Sequence, residues 1–167
     1  MRTGKGAPAG TTVLSVLIMR RGEQIVEKGL FDPAEASDRV ILDFDSRYRR
    51  RFRLFTDNHQ DILLDLEECA HMRDGDAILL SDGSLVLVQA RPEDLLEITA
   101  PDGNLLMRVA WHLGNRHLPV QFLGDTLLIR ADSVIAEMVR GLGGSVRPVK
   151  YGFDPEGGAY AAHGRAA

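Results

Sequence analysis

Two helical stripes of apolar residues with the same spacing lie within residues 92–150, and they constrain the fold more than any other feature. In each stripe the apolar positions fall at i, i+1, i+4, i+5 and i+8. They are Leu105, Leu106, Val109, Ala110 and Leu113, and then Val134, Ile135, Met138, Val139 and Leu142. Short strand patterns flank both helices. Two such units in succession predict a ferredoxin-like βαββαβ sheet with both helices on one face.

Each predicted helix has its own start and stop signals. Asp102 or Asn104 can cap the first helix by accepting hydrogen bonds from its first N–H groups, and Asp132 can cap the second. A glycine follows each stripe, and glycine often ends a helix. We therefore expect Gly114 to end the first helix and Gly143-Gly144 to end the second.

Residues 11–91 have the pattern of β-strands. Between residues 47 and 55 the side chains alternate, with Tyr48, Phe52 and Leu54 at even positions and Arg47, Arg49, Arg51 and Arg53 at odd ones. Such alternation predicts one packed face and one solvated face. Asp82-Gly83, between two apolar runs, indicates a hairpin.

The two patterns meet at Arg91-Pro92, which predicts a domain boundary there. The predicted fold class is α+β, with a mostly-β N-terminal domain at 11–91 followed by a ferredoxin-like domain at 92–150. The Gly/Ala-rich ends, residues 1–10 and 151–167, are expected to form a flexible leader and a flexible C-terminal tail.

Composition excludes several classes of protein. The 167 residues, 44% apolar, are enough for a hydrophobic core. A net charge of −4 argues against a globally basic nucleic-acid binder. A single cysteine excludes an internal disulfide framework, and no apolar run is long enough to span a bilayer. We expect a cytoplasmic protein that binds neither nucleic acid nor membrane.

The segment from Trp111 to His117 is the most informative for function. Trp111 falls nearly opposite the centre of the first helical stripe, so its large apolar surface predicts packing against the β domain or against another chain. His117 lies beyond Gly114, in the connection that leads to Pro119. His112 and His117 are five residues apart, about 140° around a helix, so the two cannot hold one ion from one face. A two-fold dimer axis near this turn would bring together two copies of His117.

The same segment, Trp-His-Leu-Gly-Asn-Arg-His followed by Leu-Pro-Val-Gln, resembles the helix-end motif of UreE-type urease accessory proteins, which are nickel metallochaperones. Three further motifs match in the right order: Arg-Asp-Gly-Asp-Ala at 73–77, Val-Gln-Ala-Arg-Pro-Glu at 88–93 and Phe-Asp-Pro-Glu-Gly-Gly-Ala-Tyr at 153–160. Together the motifs span most of residues 40–160, and Gly-Asn-Arg-His is the specific part.

This resemblance implies a homodimer that holds Ni²⁺ between two copies of His117. It also implies delivery of nickel to apo-urease together with the accessory GTPase and the other urease assembly proteins. Many relatives have a His-rich C-terminal tail, but this chain offers only His163 there, which predicts few ions per dimer. His163 is the expected auxiliary ligand, and His112 is a structural residue or a further metal-site residue. Gly114, Asn115 and Arg116 are expected to shape the turn.

Two imidazoles per dimer, with water or His163 completing the coordination, would form an open site that can release its ion. Histidine alone does not select nickel, so Cu²⁺ or Zn²⁺ can compete in vitro. Binding needs neutral imidazole. We therefore expect nickel affinity to fall as the pH drops through about 6.5.

Other residues offer alternative functions. Cys69 and His71 could form a catalytic or metal-binding pair, although a structural cysteine is the simpler interpretation. Arg49 and Arg51 could dock an acidic protein partner, and the strand of residues 47–53 or the βαββαβ sheet could bind RNA or protein with no metal role. Against RNA, the predicted central strands carry no aromatic residue. No phosphate loop, nucleophile elbow or His-Glu-x-x-His run is present, so we do not expect an enzyme.

Overall fold

A computed structural model describes residues 19–157 of the chain. Within this range the chain forms ten strands and two helices, arranged as two sheets. The strands are β1 (Arg20–Val26), β2 (Ala36–Leu42), β3 (Tyr48–Phe55), β4 (Asp61–His71), β5 (Ala77–Leu80), β6 (Leu85–Ala90), β7 (Pro92–Thr99), β8 (Gln121–Leu123), β9 (Thr126–Arg130) and β10 (Ser145–Gly152). The helices are α1 (Gly103–Gly114) and α2 (Ser133–Gly141).

The N-terminal sheet has six strands in the order β2-β6-β5-β1-β4-β3. It curls, so that the turn after β3 reaches the opposite edge, where the N–H of Asp57 donates to the carbonyl of Arg39 over 2.8 Å. The alternation in residues 61–66 of β4 and 85–88 of β6 buries every second residue against one core. This core contains Val40, Leu42, Leu54, Ile62, Leu64, Leu66, Met72, Ile78, Leu80, Val86 and Val88.

The C-terminal sheet has four antiparallel strands in the order β10-β7-β9-β8, which is the ferredoxin-like arrangement of a βαββαβ unit. Both helices pack on one face through the predicted stripes, with Val109, Leu113, Ile135 and Val139 buried. Val134, the first residue of the predicted second stripe, is instead exposed. Asp102 and Asp132 accept from N–H groups in the first turns of α1 and α2, as expected. The predicted α+β fold class is therefore confirmed. Neither helix is long and apolar enough to cross a membrane.

The two sheets are joined by a cluster around Phe44. Its N–H donates to Glu93 over 2.8 Å, its ring lies 5.4 Å from the ring of Phe153, and the guanidinium of Arg130 lies 4.9 Å above it. Phe153 is completely buried, together with Leu95 on the sheet face that the helices leave open. Residues after the last strand thus pack back onto the N-terminal domain.

Two expectations about exposure are wrong. Arg47 precedes β3 in a 3-10 turn at Asp45–Arg47 and is completely buried, whereas Tyr48 and Phe52 of the predicted packed face are exposed. The flexible tail was expected to begin at residue 151, but Tyr151 and Gly152 belong to β10 and Phe153 is buried. The rest of that tail (158–167), the leader (1–10) and the expected first strand up to residue 18 lie outside the described residues.

The hairpin predicted at Asp82-Gly83 is present between β5 and β6, with a wider loop than a two-residue turn. Only Gly83 has a positive φ (82°), and the N–H of Leu80 donates to the carbonyl of Ser84. The carboxylate of Asp82 accepts from Ser84 and Arg20, and the Ser84 hydrogen bonds chiefly lower its pKa to about 2.

Candidate metal centre

The turn that carries His117 is a Schellman motif at the end of α1. The N–H of His117 donates to the carbonyl of Gly114 over 2.9 Å, and the N–H of Leu118 donates to the carbonyl of Leu113 over 3.3 Å. These two bonds place His117 at the position that normally adopts the left-handed conformation, and its φ is +55°. The backbone of His117 is therefore fixed by the helix end although its side chain is exposed.

Helix α2 ends in the same motif with glycine at the equivalent position. Gly143 and Gly144 donate to the carbonyls of Arg140 and Val139, each over 3.0 Å, and Gly143 has a φ of +100°. Glycine adopts this conformation without the steric cost that a Cβ brings. Within one domain, then, the position that suits glycine holds glycine at one helix end and histidine at the other. A side chain kept there at a conformational cost suggests that the side chain itself is needed.

Gly114 ends α1, as expected, but not in the left-handed conformation that glycine often adopts at a helix end. It is the last residue of α1, does not have a positive φ, and a Cβ built on it would meet no atom within 4 Å. The left-handed residue that reverses the chain is His117, three residues later. The expected end of the helix at Gly114 is thus confirmed, but the conformational freedom of glycine is not used there.

The other two turn residues close the helix end with hydrogen bonds. The N–H of Asn115 donates to the carbonyl of Trp111 over 2.9 Å. Arg116 donates from its backbone to the carbonyl of Leu113 and from its guanidinium to the carbonyl of His112 over 3.0 Å. Its side chain satisfies a carbonyl that the turn leaves without a backbone partner.

His112 and His117 are exposed to different degrees. His112 is half-buried within α1, and its ring meets the ring of Trp111 edge-on at 5.0 Å. Within residues 19–157, the ring of His117 makes no recorded hydrogen bond, and no group of three or more His, Cys, Asp or Glu side chains converges on a metal-sized site. At this turn, the described part of one chain therefore offers His117 as one exposed imidazole, without further protein ligands gathered around it.

Trp111 is exposed on α1, as the helical wheel predicts. It is 64% exposed, and Met107, one turn earlier on the same face, is 65% exposed. Among the described residues, the ring of Trp111 contacts no ring of the β domain. The β domain therefore does not provide the surface that was expected to pack against Trp111. Residues four apart on a helix are neighbours, so the pair forms an apolar patch beside the turn of His117.

The segment after β10 runs back toward this turn, a feature that the sequence pattern did not reveal. The N–H of Asp154 donates to Oε1 of Gln121 over 2.8 Å, and the N–H of Glu156 donates to the carbonyl of Val120 over 2.9 Å. Val120 is only three residues after His117. His163 itself lies outside the described residues, seven positions beyond Glu156.

Cys69 and His71 do not form a pair in this structure. Cys69 is exposed, in a stretch of β4 where the pairing with β3 is irregular. His71 is turned inward against Phe44, with ring centroids 5.4 Å apart, and its buried Nε2 has no hydrogen-bond partner among the described residues. Burial, and then the nearby charge of Arg47, lower the pKa of His71.

Comparison with known proteins gives the same family for both domains. Residues 20–91 match the N-terminal domain, and residues 93–167 the C-terminal domain, of the UreE urease accessory protein. A urease accessory protein UreE from Beijerinckia indica subsp. indica is 47% identical over 147 residues, which cover 88% of this chain and 84% of the relative. The UreE of a Rhodopseudomonas palustris strain is 55% identical over 75% of this chain, and that of a Bradyrhizobium strain is 53% identical over 77%.

This chain belongs to the UreE family of urease accessory proteins. It is thus an accessory protein rather than an enzyme. The Rhodopseudomonas and Bradyrhizobium relatives are longer, and the matched regions span 59% and 63% of their lengths.

Proposed function

We propose that this protein is a nickel metallochaperone that acts in the cytoplasm as a homodimer and delivers Ni²⁺ to apo-urease during urease maturation. The observation that carries the proposal is the conformation of His117. An exposed imidazole is held on a fixed, left-handed backbone where the fold would be better served by glycine. Membership of the urease accessory family supports nickel as the ion.

The second ligand comes from a second copy of the chain. Met107 and Trp111 form an exposed apolar patch on α1 close to the turn of His117. A two-fold axis through this patch would bury the tryptophan and place one His117 from each protomer near the axis. One sequence position would then provide two imidazoles to the same ion.

His163 is the proposed auxiliary ligand, supported by the path of the chain before it. The N–H of Glu156 donates to the carbonyl of Val120, which holds this segment beside Val120. Val120 is three residues after His117 in the sequence. Seven further residues can extend about 23 Å, which is ample for a side chain to reach the turn. His112 is half-buried, whereas His117 is exposed. The proposed role of His112 is therefore to support the end of α1.

The helix end also favours a cation. The C-terminus of α1 carries partial negative charge from its last carbonyls, so a divalent ion near His117 is stabilised there. With two imidazoles and an incomplete set of protein donors, the ion keeps exchangeable water and can be passed on. Cu²⁺ and Zn²⁺ are expected to compete in vitro. The receiving proteins proposed here are apo-urease and the urease accessory proteins, including the accessory GTPase.

Native mass spectrometry with added Ni²⁺ tests this proposal. His117→Asn and His59→Asn are matched variants, because His59 is also exposed and left-handed, with a φ of 59°. Asparagine tolerates this conformation, so both variants should fold. We expect a nickel-bearing dimer for the wild type and for His59→Asn, and loss of the tightest ion for His117→Asn. Retention of that ion by His117→Asn would overturn the assignment.

A nickel titration at pH 5.5 and pH 7.5 provides an independent check of the donor type. Affinity should be weaker at the lower pH, because protons compete with the metal for imidazole nitrogen. Equal affinities at the two pH values would exclude imidazole as the main donor.

A further inference from the structure

The sequence motifs that resemble the UreE family meet at one place, the junction between the two domains. Asp74 of one motif accepts from the N–H of Ala90 in the next motif over 2.7 Å. The N–H of Asp154, in the last motif, donates to Oε1 of Gln121, which ends the motif of the candidate metal centre. The guanidinium of Arg73 lies 4.0 Å from the carboxylate of the same aspartate. A chain of contacts thus links the metal centre to the domain junction.

Gln121 is a buried polar residue on an apolar face. It pairs with Leu128 across β8 and β9, on the face of the sheet where Phe153 packs, and it is only 9% exposed. Burial of an amide is unfavourable unless its polar atoms form hydrogen bonds. The 2.8 Å bond from the N–H of Asp154 therefore accounts for a glutamine where an apolar side chain would otherwise fit.

The segment after β10 has two N–H groups that bind at the start of β8. Pro155 lacks an N–H and is buried, so the donors in this stretch are the backbone groups of Asp154 and Glu156. The first donates to the side chain of Gln121, and the second donates to the carbonyl of Val120 over 2.9 Å. Both acceptors lie just after the turn of the candidate metal centre in the sequence. One of the two bonds that hold the segment there therefore depends on a side chain.

The N-terminal domain holds the same segment independently of Gln121. The buried guanidinium of Arg47 donates to the carbonyl of Phe153 and to the carboxylate of Asp154. Loss of the Gln121 bond would therefore leave the segment attached to the N-terminal domain, but with one bond fewer beside the metal turn. The effect of Gln121 on position can thus be separated from the folding of the junction.

We propose that Gln121 is a positioning residue of the metal centre. By holding the N–H of Asp154, its side chain directs His163 toward the ion at His117. This inference rests on the proposed function, in which His163 is the auxiliary ligand. A bond lost at Asp154 gives the residues that follow more freedom, which lowers the effective concentration of the His163 imidazole at the ion. His117 itself is unaffected, because its turn has its own backbone hydrogen bonds.

Full-length protein loaded with Cu²⁺ tests the proposal, because pulsed electron paramagnetic resonance counts the imidazoles bound to that ion. Gln121→Met has a similar length and suits the apolar face but lacks the amide oxygen, and Gln121→Leu is a second variant of the same kind. We expect both to lose the imidazole that His163→Ala removes, and to weaken Ni²⁺ binding about three- to tenfold in calorimetric titrations. The matched control is Gln60→Met, because the amide of Gln60 accepts from Arg20 in the other domain over 3.2 Å. This control should bind both ions as the wild type does.

A double-mutant cycle separates positioning from a general loss of structure. If Gln121 acts through His163, Gln121→Met should weaken Ni²⁺ binding no further in a chain that already carries His163→Ala. An equal loss with and without His163 would overturn the proposal, and so would an unchanged imidazole count in Gln121→Met. If His163→Ala leaves both the count and the affinity unchanged, the auxiliary ligand of the proposed function is wrong together with this inference. A loss in His163→Ala that neither Gln121 variant reproduces would refute this inference alone.

Discussion

The guanidinium of Arg47 and the carboxylate of Asp154 form an ion pair, with Nη1 3.0 Å from Oδ1, between residues 107 positions apart in sequence. Arg47 is completely buried and also donates to the carbonyls of Met72 and Phe153. One arginine of the N-terminal domain thus holds the segment that continues toward His163. The position of that segment beside Val120 depends on this buried cation.

Removing the negative charge from Asp154 should destabilise the protein strongly. Asp154→Asn leaves the buried Arg47 without its anion, which we expect to lower the free energy of unfolding by about 2–4 kcal/mol. The matched variant is Asp45→Asn, which removes a carboxylate 2.7 Å from the exposed guanidinium of Arg130. That change should cost less than about 1 kcal/mol. Urea denaturation of both variants checks the difference, and equal losses would contradict it.

The buried imidazole of His71 should make stability depend on pH. Its pKa is lowered in the folded protein, mainly by burial, so below about pH 6.5 the unfolded chain takes up a proton before the folded one does. Stability therefore falls as the pH drops through this range, until His71 is protonated in the folded state too. His71→Gln should reduce the slope measured by urea unfolding between pH 7.5 and 5, whereas His59→Asn should leave the contribution of His71 in place. An unchanged slope in His71→Gln would refute this origin.

The fold followed from the sequence wherever periodicity carried the information. The caps Asp102 and Asp132, the βαββαβ order and the apolar stripes of α1 and α2 were predicted correctly, except that Val134 of the second stripe is exposed. The burial of Arg47 was not predicted, because the alternation of side chains does not show where a strand begins. Its burial depends on Asp154, a partner that no local pattern connects to it. Charged side chains are normally exposed, and only the tertiary structure shows this exception.

The candidate site was located from the sequence, but its conformation was not. A motif drew attention to His117, and Gly114 was expected to end α1. The structure has that end at Gly114 and also gives His117 a left-handed conformation, which no pattern in the sequence predicted. The return of the chain at Asp154 and Glu156 was also missed, because two hydrogen bonds to residues 120–121 leave no periodic pattern.

Substitutions at His117 should separate its structural cost from its function. His117→Gly places the preferred residue at a φ of +55° and should raise the free energy of unfolding by about 0.5–1 kcal/mol. His117→Ala keeps a Cβ in the left-handed region and should not give this gain. Both variants should lose nickel binding. Thermal denaturation of the metal-free proteins gives the stability order, and a glycine variant less stable than wild type would show that the imidazole supports the fold.

Gly114→Ala tests whether Gly114 has a helical or a left-handed conformation. Gly114 is helical and a Cβ there meets no atom within 4 Å, so alanine should stabilise α1 by about 0.5–1 kcal/mol. If Gly114 were the left-handed residue, the same change would destabilise the protein. Thermal denaturation measures the sign. A control, Gly143→Ala, should be destabilising, because Gly143 does have a positive φ of 100°.

Trp111 provides a direct readout of the proposed dimer, because it is the single tryptophan in the chain. Its ring is 64% exposed in one protomer, so the monomer should emit at the wavelength of a solvated indole. Burial against a second copy removes water from the ring, and emission should shift to shorter wavelength as protein concentration rises. Trp111→Ser should weaken dimerisation in sedimentation experiments, whereas Tyr151→Ser, at another exposed aromatic residue, should not. If Trp111→Ser remained fully dimeric, the two-fold axis could not pass through this face of α1. The proposed pairing of two His117 residues across that axis would then be wrong as well.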